Sequence, residues 1–542
     1  MQMPQARTTP DLLDEMARRY PAREFVVHGD ERVTYARFRE RTRQLAKGLH
    51  KLGVRKGDHV GLLMGNQVEF LLVDFAVNLL GGVLVALNTW YKSHELRYVL
   101  THSDVSVLVL AERFLNQDYV AMLRELDVPG AGIPAIRSVV CLGAQRHAGM
   151  LPFAELWAMG ADVPDAAIDA AQRAVGPQDM AALLYTSGTT SFPKGVPLLH
   201  FGLIENMFNI GERQHLSEQD RMWHGVTLFW ALGCVNALFA VMTHGGCLVL
   251  QHAFEPGEAL EIIERERCTV YYGTPNMHIA MVNHPDFPRR DLSSLRTGVA
   301  IGNAQAMRTA MRLGATHICQ CYGLTESYGN CCITDAEAPE HIRAETIGRA
   351  LPDTEVLVSD PVTHRPLPQG ELGEIKIRGP YVLKGYYKQP EKTAEAFDAE
   401  GFFLTGDLGW QDAEGYFHFQ TRIKEMVKSG GINVAPMEVE EFLERQPGVK
   451  EAFIVGVPDP VKDEVIAAVI VPQAGVTLDA ATLQAACKAQ LASYKVPRYI
   501  RFASREALPV TATGKVQKVK LKDEMAAWAA QAEAAGGGHA RP

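Results

Sequence analysis

Hydrophobic and polar positions follow two different patterns along most of the chain. Apolar residues recur at helical spacing between Tyr35 and Leu49, whereas Val60–Met64 is an uninterrupted apolar run of strand length. Similar helix-like and strand-like stretches take turns over most of the length, and we find no repeat of fixed period. Alternation of this kind predicts a fold of the α/β class.

The pattern changes after about Gly370. Residues 374–378 alternate between polar and apolar side chains, which is typical of a half-exposed strand. A charged, glycine-rich passage follows at Thr421–Pro436, and it has the composition of a linker or a moving joint. We therefore expect a separate domain to begin near this passage.

The chain beyond the joint has an alternation of its own. Its pattern predicts a helix around Val439–Leu443, strands at Ala452–Val457 and Val465–Val471, and a helix over Leu483–Leu491 that must end before Pro497. This is the pattern of a small α+β domain. The predicted division is a large multi-subdomain α/β domain at 1–422, a small mobile α+β domain at 423–530 and an unstructured tail at 531–542.

Composition limits the class of protein. Of the 542 residues, 47% are hydrophobic and 22% are charged, which is ordinary globular usage, so disorder over the whole chain is excluded. The net charge of −9 comes without a long block of one sign and gives no electrostatic reason to expect a nucleic acid polymer as partner. The most apolar region, Ala231–Leu250, is interrupted by polar residues and glycines, so we predict buried core there and no membrane-spanning helix.

Cysteine usage and the amino terminus suggest a location. The nine cysteines lack the paired spacing of a zinc ribbon, and we expect them to be buried, reduced thiols. Residues 1–10 lack the apolar stretch of a secretory signal. We therefore expect a cytoplasmic protein without integral membrane association.

The segment Ala181–Gly195 carries the strongest chemical signal. An apolar strand, Ala181–Tyr185, runs directly into a stretch of hydroxyl side chains that ends in Pro-Lys-Gly. Hydroxyls and backbone N–H groups can surround a polyphosphate while a lysine supplies a compact positive charge. The alternative is an ordinary polar turn between a strand and a helix. The candidate nucleotide-binding residues here are Thr186, Ser187, Gly188, Thr189, Thr190, Ser191 and Lys194.

This segment does not have the order of a Walker loop, because Pro193 precedes the lysine and Gly195 follows it. It resembles the signature of the ANL adenylate-forming superfamily, the AMP-dependent synthetases and ligases, which normally reads Thr-Ser-Gly-Ser/Thr-Thr-Gly-x-Pro-Lys-Gly. The single departure is Ser191, where the family usually has glycine. Glycine permits backbone angles that serine reaches only with strain, so we expect this change to affect loop mobility and turnover.

A second signature-like segment runs from Tyr322 to Glu326, after an apolar stretch. The resemblance implies that Tyr322 lies against the adenine, with Gly323 also at the nucleotide, and that Thr325 bonds a phosphate oxygen. It also implies that Glu326 holds Mg²⁺, a role that suits a carboxylate because Mg²⁺ prefers hard oxygen ligands. We expect Thr325 and Glu326 to be catalytic residues.

Two further segments match nucleotide contacts of the family. Gly302, Asn303 and Ala304 stand where relatives have a small turn beside the adenine. Asp407, the third residue of a Thr-Gly-Asp triplet, matches the residue that clamps the ribose, where an ionised carboxylate can accept from both hydroxyls. An Asx-type turn is the alternative for this triplet. Arg422 matches the arginine that reaches the nucleotide.

The remaining family positions lie in the last part of the chain. By resemblance, Lys424 corresponds to the joint about which the small domain turns. Lys428, Gly430 and Gly431 correspond to the surface that contacts CoA in the thioester-forming step. Lys515 closes a segment similar to the final motif of the family, and the likeness implies that it is the catalytic lysine, carried on a mobile loop.

The acid pocket is expected, by family position, around small residues and one tryptophan. Trp230 stands where many relatives have histidine or another smaller group, and it would favour a small or flat acid. The alternative is a core tryptophan with no selective role. Small residues at 329–332 would instead leave room on the far side. The candidate pocket residues are Trp230, Ala231, Gly273, Gly302, Tyr328 and Gly329.

The resemblance implies an ATP-dependent acid–CoA ligase, with Mg²⁺ as cofactor and ATP and CoA as co-substrates. A carboxylic acid would attack the α-phosphate of ATP, pyrophosphate would leave, and the acyl-AMP would pass its acyl group to the CoA thiol. The alternatives are transfer to a carrier-protein thiol and a nucleotide-binding regulator that has lost catalysis. The sequence leaves open whether the acid is short, fatty, aromatic or alicyclic, and a homodimer would be in keeping with the family.

Overall fold

The computed structural model describes residues 1–186, 193–429, 432–434, 436–459, 463–491, 495–510 and 515–534. The helices in this part of the chain are α1 (Thr9–Arg19), α2 (Tyr35–Lys51), α3 (Val68–Leu79), α4 (Ser93–His102), α5 (Tyr119–Glu125), α6 (Phe153–Met159), α7 (Asp165–Arg173), α8 (His200–Arg213), α9 (Leu238–Thr243), α10 (Pro256–Arg265), α11 (Pro275–Val282), α12 (Ala304–Met311), α13 (Glu340–Glu345), α14 (Pro390–Glu395), α15 (Pro436–Glu444), α16 (Ala480–Gln490) and α17 (Lys518–Ala534).

The strands in the same ranges are β1 (Glu24–His28), β2 (Glu31–Thr34), β3 (His59–Leu63), β4 (Val83–Ala86), β5 (Val105–Ala111), β6 (Arg113–Phe114), β7 (Gln117–Asp118), β8 (Ser138–Leu142), β9 (Leu151–Pro152), β10 (Met180–Thr186), β11 (Lys194–Leu199), β12 (Arg221–His224), β13 (Cys247–Leu250), β14 (Val270–Gly273), β15 (Thr297–Ala300), β16 (His317–Tyr322), β17 (Cys332–Ile333), β18 (Arg349–Ala350), β19 (Glu355–Ser359), β20 (Gly373–Arg378), β21 (Phe403–Gln411), β22 (Phe417–Arg422), β23 (Val427–Ser429), β24 (Ile432–Val434), β25 (Val449–Asp459), β26 (Asp463–Pro472) and β27 (Tyr499–Phe502).

The chain divides into two compact units. The first consists of Met1–Val356, Lys376–Phe403 and Glu414–Phe417, and the second of Leu357–Ile375, Leu404–Ala413 and His418–Pro542. The mixed α/β class predicted from the alternating pattern is confirmed. The domain boundary expected after residue 422 stays a prediction.

The first unit is built on two large sheets. A nine-stranded sheet has the order β18-β17-β16-β15-β14-β12-β13-β1-β2, and a seven-stranded sheet has the order β11-β10-β4-β3-β5-β8-β9. Most neighbours in both sheets are parallel, an arrangement that needs a crossover between successive strands. The helices that alternate with these strands supply the crossovers and cover the apolar strand residues, which are almost all buried.

The second unit contains the small α+β domain. Its five-stranded sheet has the order β24-β23-β26-β25, with β27 beside β26. Alternate side chains of β25 and β26 enter two separate cores, one closed by α15 and α16 and the other by α17. A four-stranded sheet of order β19-β20-β21-β22 contributes most of its residues to the same unit.

The pattern-based elements agree with the observed ones to within a few residues. α2 begins at Tyr35 because the Thr34 hydroxyl accepts a hydrogen bond from the Arg37 N–H at 3.2 Å, an N-cap. The tail predicted at 531–542 begins too early, since α17 continues through Ala534 with Leu521 and Met525 buried on its inner face. Residues 535–542 lie outside the described ranges.

The long apolar region from Ala231 is buried core, as predicted. It forms a π-helical segment (Ala231–Ala237), then α9 and β13, and residues 233–250 are all buried. Among the helices of the described ranges, none has the length and apolar character needed to cross a membrane.

Candidate active site

The motifs of the first unit lie where neighbouring strands end. β14 ends at Gly273, β15 at Ala300 and β16 at Tyr322, and these three strands are adjacent in the nine-stranded sheet. Because they are parallel, their carboxyl ends meet at one edge, which is where open α/β sheets bind ligands. Gly273 of the predicted pocket, the predicted adenine turn at Gly302 and the segment of the predicted metal ligand Glu326 therefore come to one sheet edge from three separate parts of the chain.

The turn after β15 is held rigidly. Asn303 caps α12, its Oδ1 accepting a hydrogen bond from the Ala306 N–H at 2.9 Å. Gln320, on β16, donates from Nε2 to the Gly302 carbonyl oxygen at 2.9 Å. Gly302 has φ +137°, and a Cβ there would lie 2.8 Å from the Ala306 Cβ, so the turn requires glycine. Gly302, Asn303 and Ala304 thus form a preformed helix start whose Asn303 side chain is used for capping.

The segment after β16 contains the predicted metal ligand. A 3₁₀ turn, Thr325–Ser327, follows Tyr322, and the Ser327 hydroxyl accepts from the Leu324 N–H at 3.0 Å. Thr325 is half-buried, whereas Tyr322 is buried and Glu326 is 6% exposed. A carboxylate this far from water is destabilised unless a donor faces it.

The donor that faces Glu326 is Tyr386, which the sequence analysis missed. Its Oη donates to Glu326 Oε1 at 2.8 Å. Burial and the Glu326 carboxylate raise the pKa of Tyr386 well above its ordinary value, so the phenol stays protonated and remains a donor. The Lys194 Nζ lies 3.9 Å from the centroid of the Tyr386 ring, a cation–π distance. Lys194 and Glu326, from two distant signatures, are therefore brought together on one tyrosine.

The hydroxyl-rich stretch before Lys194 is only partly described. β10 and β11 are antiparallel and pair Thr186 with Lys194. The stretch therefore connects two strands of one sheet, and the alternative of a strand-to-helix turn is excluded. The predicted residues that lie outside the described ranges are Ser187, Gly188, Thr189, Thr190 and Ser191.

Trp230 lies in an aromatic cluster. Its ring centroid is 5.6 Å from that of Trp90 and 5.5 Å from that of Phe229. It packs against the core of the nine-stranded sheet but stays half-buried, so part of the indole is available to a ligand. Ala231 begins the π-helical segment, a feature frequent at functional sites. The sequence carries no signal for Trp90, because it is distant in the chain and belongs to no motif.

Tyr328 and Gly273 have close neighbours within the fold. The Tyr328 hydroxyl accepts from the Leu199 N–H at 2.9 Å, and the side chain is 2% exposed. Its ring lies against Gly202, so Tyr328 fastens its turn to β11 and α8. At Gly273 a Cβ would lie 2.0 Å from the Tyr271 Oη, so glycine is needed there to leave room for that hydroxyl.

Gly329 completes the predicted pocket set. It has φ +89°, and a Cβ there would lie 2.8 Å from the Asn236 side chain. Asn236 Nδ2 donates to Asn330 Oδ1 at 3.0 Å in the buried interior. This turn therefore rests on a polar pair of the core, and the pocket roles of these residues stay predictions.

In the second unit, Asp407 and Arg422 lie on neighbouring strands of one sheet. Asp407 is 2% exposed, and its Oδ1 lies 3.1 Å from the Arg422 Nε, an ion pair. The Asp407 N–H donates to the Thr405 hydroxyl at 3.1 Å. The Thr-Gly-Asp triplet lies inside β21, where Gly406 has φ +71°, and the ribose role of Asp407 stays a prediction.

Lys515 belongs to the same charged group. The pKa of Lys515 is lowered, first because surrounding protein excludes water from the ammonium and next because of the Arg422 cation. The Glu425 and Asp407 carboxylates act in the opposite direction, since each raises the pKa of Lys515. Although part of the Lys515 side chain is exposed, its charge interacts with both predicted nucleotide residues of this unit, Asp407 and Arg422.

The joint and the CoA surface are described only in part. Lys424 lies in a 3₁₀ turn, Ile423–Glu425, and Lys428 lies in β23, but their side chains are outside the description, as are Gly430 and Gly431. Nowhere in the described ranges do three or more His, Cys, Asp or Glu side chains form a group that could hold a metal ion. Mg²⁺ commonly takes only one or two ligands from protein, and the metal role of Glu326 stays a prediction.

Two family models match the chain. The model for "AMP-binding enzyme" matches residues 13–387, and the model for "AMP-binding enzyme C-terminal domain" matches residues 438–515. YngI of Bacillus subtilis (strain 168) is 38% identical over 531 residues, which cover 95% of this chain and 96% of that protein. The medium-chain acyl-CoA ligase ACSF2, mitochondrial, of Mus musculus is 33% identical over 542 residues, covering 96% and 87%.

A solved structure shows the same architecture. The anthranilate CoA ligase AuaEII in complex with anthranoyl-AMP has a TM-score of 0.85 and 27% sequence identity, and the match covers 98% of this chain and 100% of that one. The two family models, the relatives and this structure agree along nearly the whole length. The chain therefore belongs to the AMP-binding enzyme family and, with it, to the ANL adenylate-forming superfamily.

Proposed function

We propose that this chain is an AMP-forming acid–CoA ligase, which activates a carboxylic acid as acyl-AMP and then transfers the acyl group to the thiol of CoA. The observation that carries the proposal is the meeting of Lys194 and Glu326 on Tyr386. A lysine suited to polyphosphate and a carboxylate suited to a divalent cation are the two groups that ATP chemistry requires. The names of the mouse relative and of the solved structure support the same reaction.

The first step must bring two anions together, because the carboxylate of the acid attacks the α-phosphate of ATP. Lys515 would offset this repulsion by lying against both groups in the transition state. Lys194 would hold the phosphates that leave as pyrophosphate, and Asp407 would accept from the ribose hydroxyls. Glu326 would hold Mg²⁺, which supplies charge neutralisation at the phosphates when bound.

Glu326 fits that cation. Tyr386 donates to Oε1 and leaves Oε2 for a metal, and one protein carboxylate is enough for Mg²⁺, which retains water and phosphate oxygens as ligands. The second step requires Lys515 to withdraw, since the thiol must reach the same carbonyl. We propose that the small domain turns about Lys424 and that Lys428, Gly430 and Gly431 then contact CoA.

Pyrophosphate release with a panel of acids tests the function. Short, medium-chain, aromatic and alicyclic acids are each supplied with ATP and Mg²⁺, and we expect acid-dependent release together with acyl-CoA when free CoA is present. The aromatic cluster at Trp230 favours flat acids. A chain that binds ATP but releases pyrophosphate with none of these acids would be a regulator, and one that acylates only a phosphopantetheinylated carrier would be a loading enzyme. A homodimer stays a prediction.

The rate of adenylation should fall at alkaline pH earlier than an ordinary lysine would predict. Lys515 must be protonated to act, and its pKa is lowered below the usual 10.5, so activity is present below that shifted pKa and is lost as the pH rises through it. A pH profile of kcat/KM for pyrophosphate release, which reports the free enzyme, measures this limb. Lys515→Arg, which stays charged, should move the limb to higher pH even if its rate is lower; an unmoved limb would contradict the assignment.

Asp407→Asn should raise the KM for ATP by about 10–100-fold, the loss expected for one or two hydrogen bonds to a charged acceptor. The amide keeps the shape of the carboxylate but can accept less strongly from the ribose and no longer neutralises Arg422. Steady-state kinetics with ATP as the varied substrate measures this change in KM. The matched control is Asp412→Asn, because Asp412, directly after β21, pairs with His418 of β22 at 2.9 Å, and this change should leave the KM unchanged.

A further inference from the structure

The segment 383–387 connects the two signature segments of the first unit. The Leu383 N–H donates to the Glu326 carbonyl oxygen at 2.8 Å, and the Tyr387 N–H donates to the Gly195 carbonyl oxygen at 2.9 Å. One short stretch of chain is thus hydrogen-bonded both to the predicted metal ligand and to the residue after the phosphate-loop lysine. None of the motifs recognised in the sequence includes it.

Tyr386, in the middle of this segment, is fixed in one orientation. Its N–H donates to the Thr393 hydroxyl at 2.9 Å, and its side chain is 6% exposed. The hydroxyl bonds Glu326 at 2.8 Å while the ring face lies 3.9 Å from the Lys194 ammonium. The ring cannot turn without giving up one of these contacts, so the separation of the two charged groups depends on it.

From this geometry we propose that Tyr386 is a positioning residue for both charged groups. Its hydroxyl orients the Glu326 carboxylate toward a divalent cation, and its ring face places the Lys194 ammonium for the phosphates. The inference rests on the proposed function, because that function assigns the cation and the phosphates of ATP to these two side chains. Removing a hydrogen-bond partner behind a metal ligand typically lowers metal affinity by about 10–100-fold.

Two substitutions separate the two roles. Tyr386→Phe removes the hydroxyl but keeps the ring, so the Mg²⁺ concentration that gives half-maximal pyrophosphate release should rise about 10–100-fold. At saturating Mg²⁺ its kcat and its KM for ATP should return close to the parent values. Tyr386→Leu removes the ring as well, and its KM for ATP should stay raised at saturating Mg²⁺ because the cation–π contact with Lys194 is lost.

A binding measurement tests the proposal without turnover. In the absence of acid, electron paramagnetic resonance follows the binding of Mn²⁺ with α,β-methylene-ATP to the full-length protein. Tyr386→Phe should weaken binding of the Mn²⁺ complex by about 10–100-fold and leave binding of the metal-free analogue, followed by calorimetry, unchanged. Tyr387→Phe is the matched control. The Tyr387 hydroxyl donates to Asp104 at 2.7 Å, so its removal should change neither the binding of the Mn²⁺ complex nor the binding of the metal-free analogue.

A double-mutant cycle tests whether Tyr386 acts through Glu326. In the Glu326→Gln background, the additional change Tyr386→Phe should weaken Mn²⁺-complex binding no further, because the metal-binding carboxylate through which the hydroxyl acts is already gone. Should Tyr386→Phe fail to fold, Thr393→Val loosens the tyrosine from its backbone side and should shift the half-saturating Mg²⁺ in the same direction. A folded variant that binds the Mn²⁺ complex as the parent does overturns the inference. A parent that releases no pyrophosphate, yet shows the binding loss on Tyr386→Phe, overturns the proposed function instead.

Discussion

Lys515→Ala should slow the first half-reaction strongly and spare the second. Adenylation, measured as acid-dependent exchange of pyrophosphate into ATP, should fall by about 10²–10³-fold, since a preorganised charge at the reacting centre is worth that much. The alanine removes the cation that lies in one charged group with Asp407 and Arg422. Conversion of synthetic acyl-AMP and CoA to acyl-CoA should continue near the parent rate, because that step requires the lysine to be away from the carbonyl.

The matched control for this variant is Lys522→Ala. Lys522 is also a lysine of the last part of the chain, but it lies on α17 and forms an ion pair with Glu464. Both half-reactions of this control should match the parent. If Lys515→Ala exchanges pyrophosphate at the parent rate, the catalytic role of Lys515 is wrong; if it loses both half-reactions equally, the lysine serves the fold and not the first step.

Glu326→Gln should slow adenylation by about 10²–10³-fold through loss of the metal carboxylate. The protein should remain folded, since glutamine fills the same space and its side-chain oxygen can still accept from the Tyr386 hydroxyl. Pyrophosphate release measured over a wide range of Mg²⁺ concentrations, beside a thermal melt, checks both statements. Excess Mg²⁺ should not restore the rate, in contrast to Tyr386→Phe, in which the ligand itself is retained.

A second tyrosine–glutamate pair provides the control. The Tyr381 hydroxyl donates to Glu205 at 3.1 Å in the first unit, so Glu205→Gln makes the same chemical change at a similar pair outside the site. We expect Glu205→Gln to show the adenylation rate and the Mg²⁺ dependence of the parent protein. A parent-like Glu326→Gln would remove the metal role from this residue.

Local apolar patterns located several elements of the fold but not all of their ends. An uninterrupted apolar run was enough to place β3, which is buried completely, and a helical pattern was enough to place α2, which buries one face. The tail was predicted to begin before the end of α17, since a run of alanines carries little amphipathic signal and Leu521 and Met525 are the large buried side chains of this helix. Local pattern therefore predicted element type better than element end.

The residues of the candidate site were likewise predicted from the sequence only in part. Lys194, Glu326, Asp407, Arg422 and Lys515 were recognised because each stands in a segment whose residue types and order are those of the family. Tyr386 and Trp90 were missed, since each is an ordinary aromatic residue in a segment without a recognised motif, and its importance comes from what it touches. The placement of Asp407 beside Arg422 came only from the pairing of β21 with β22.

The sequence by itself determined the fold class, the order of the chemical groups and the family, because these depend on residue identity and spacing along the chain. Only the tertiary structure decided which groups meet. The parallel pairing of β14, β15 and β16 brings three turns to one sheet edge, and adjacent strands join Asp407 to Arg422. A buried carboxylate must also find a donor wherever the fold provides one, and here that donor is Tyr386, from a segment remote in sequence.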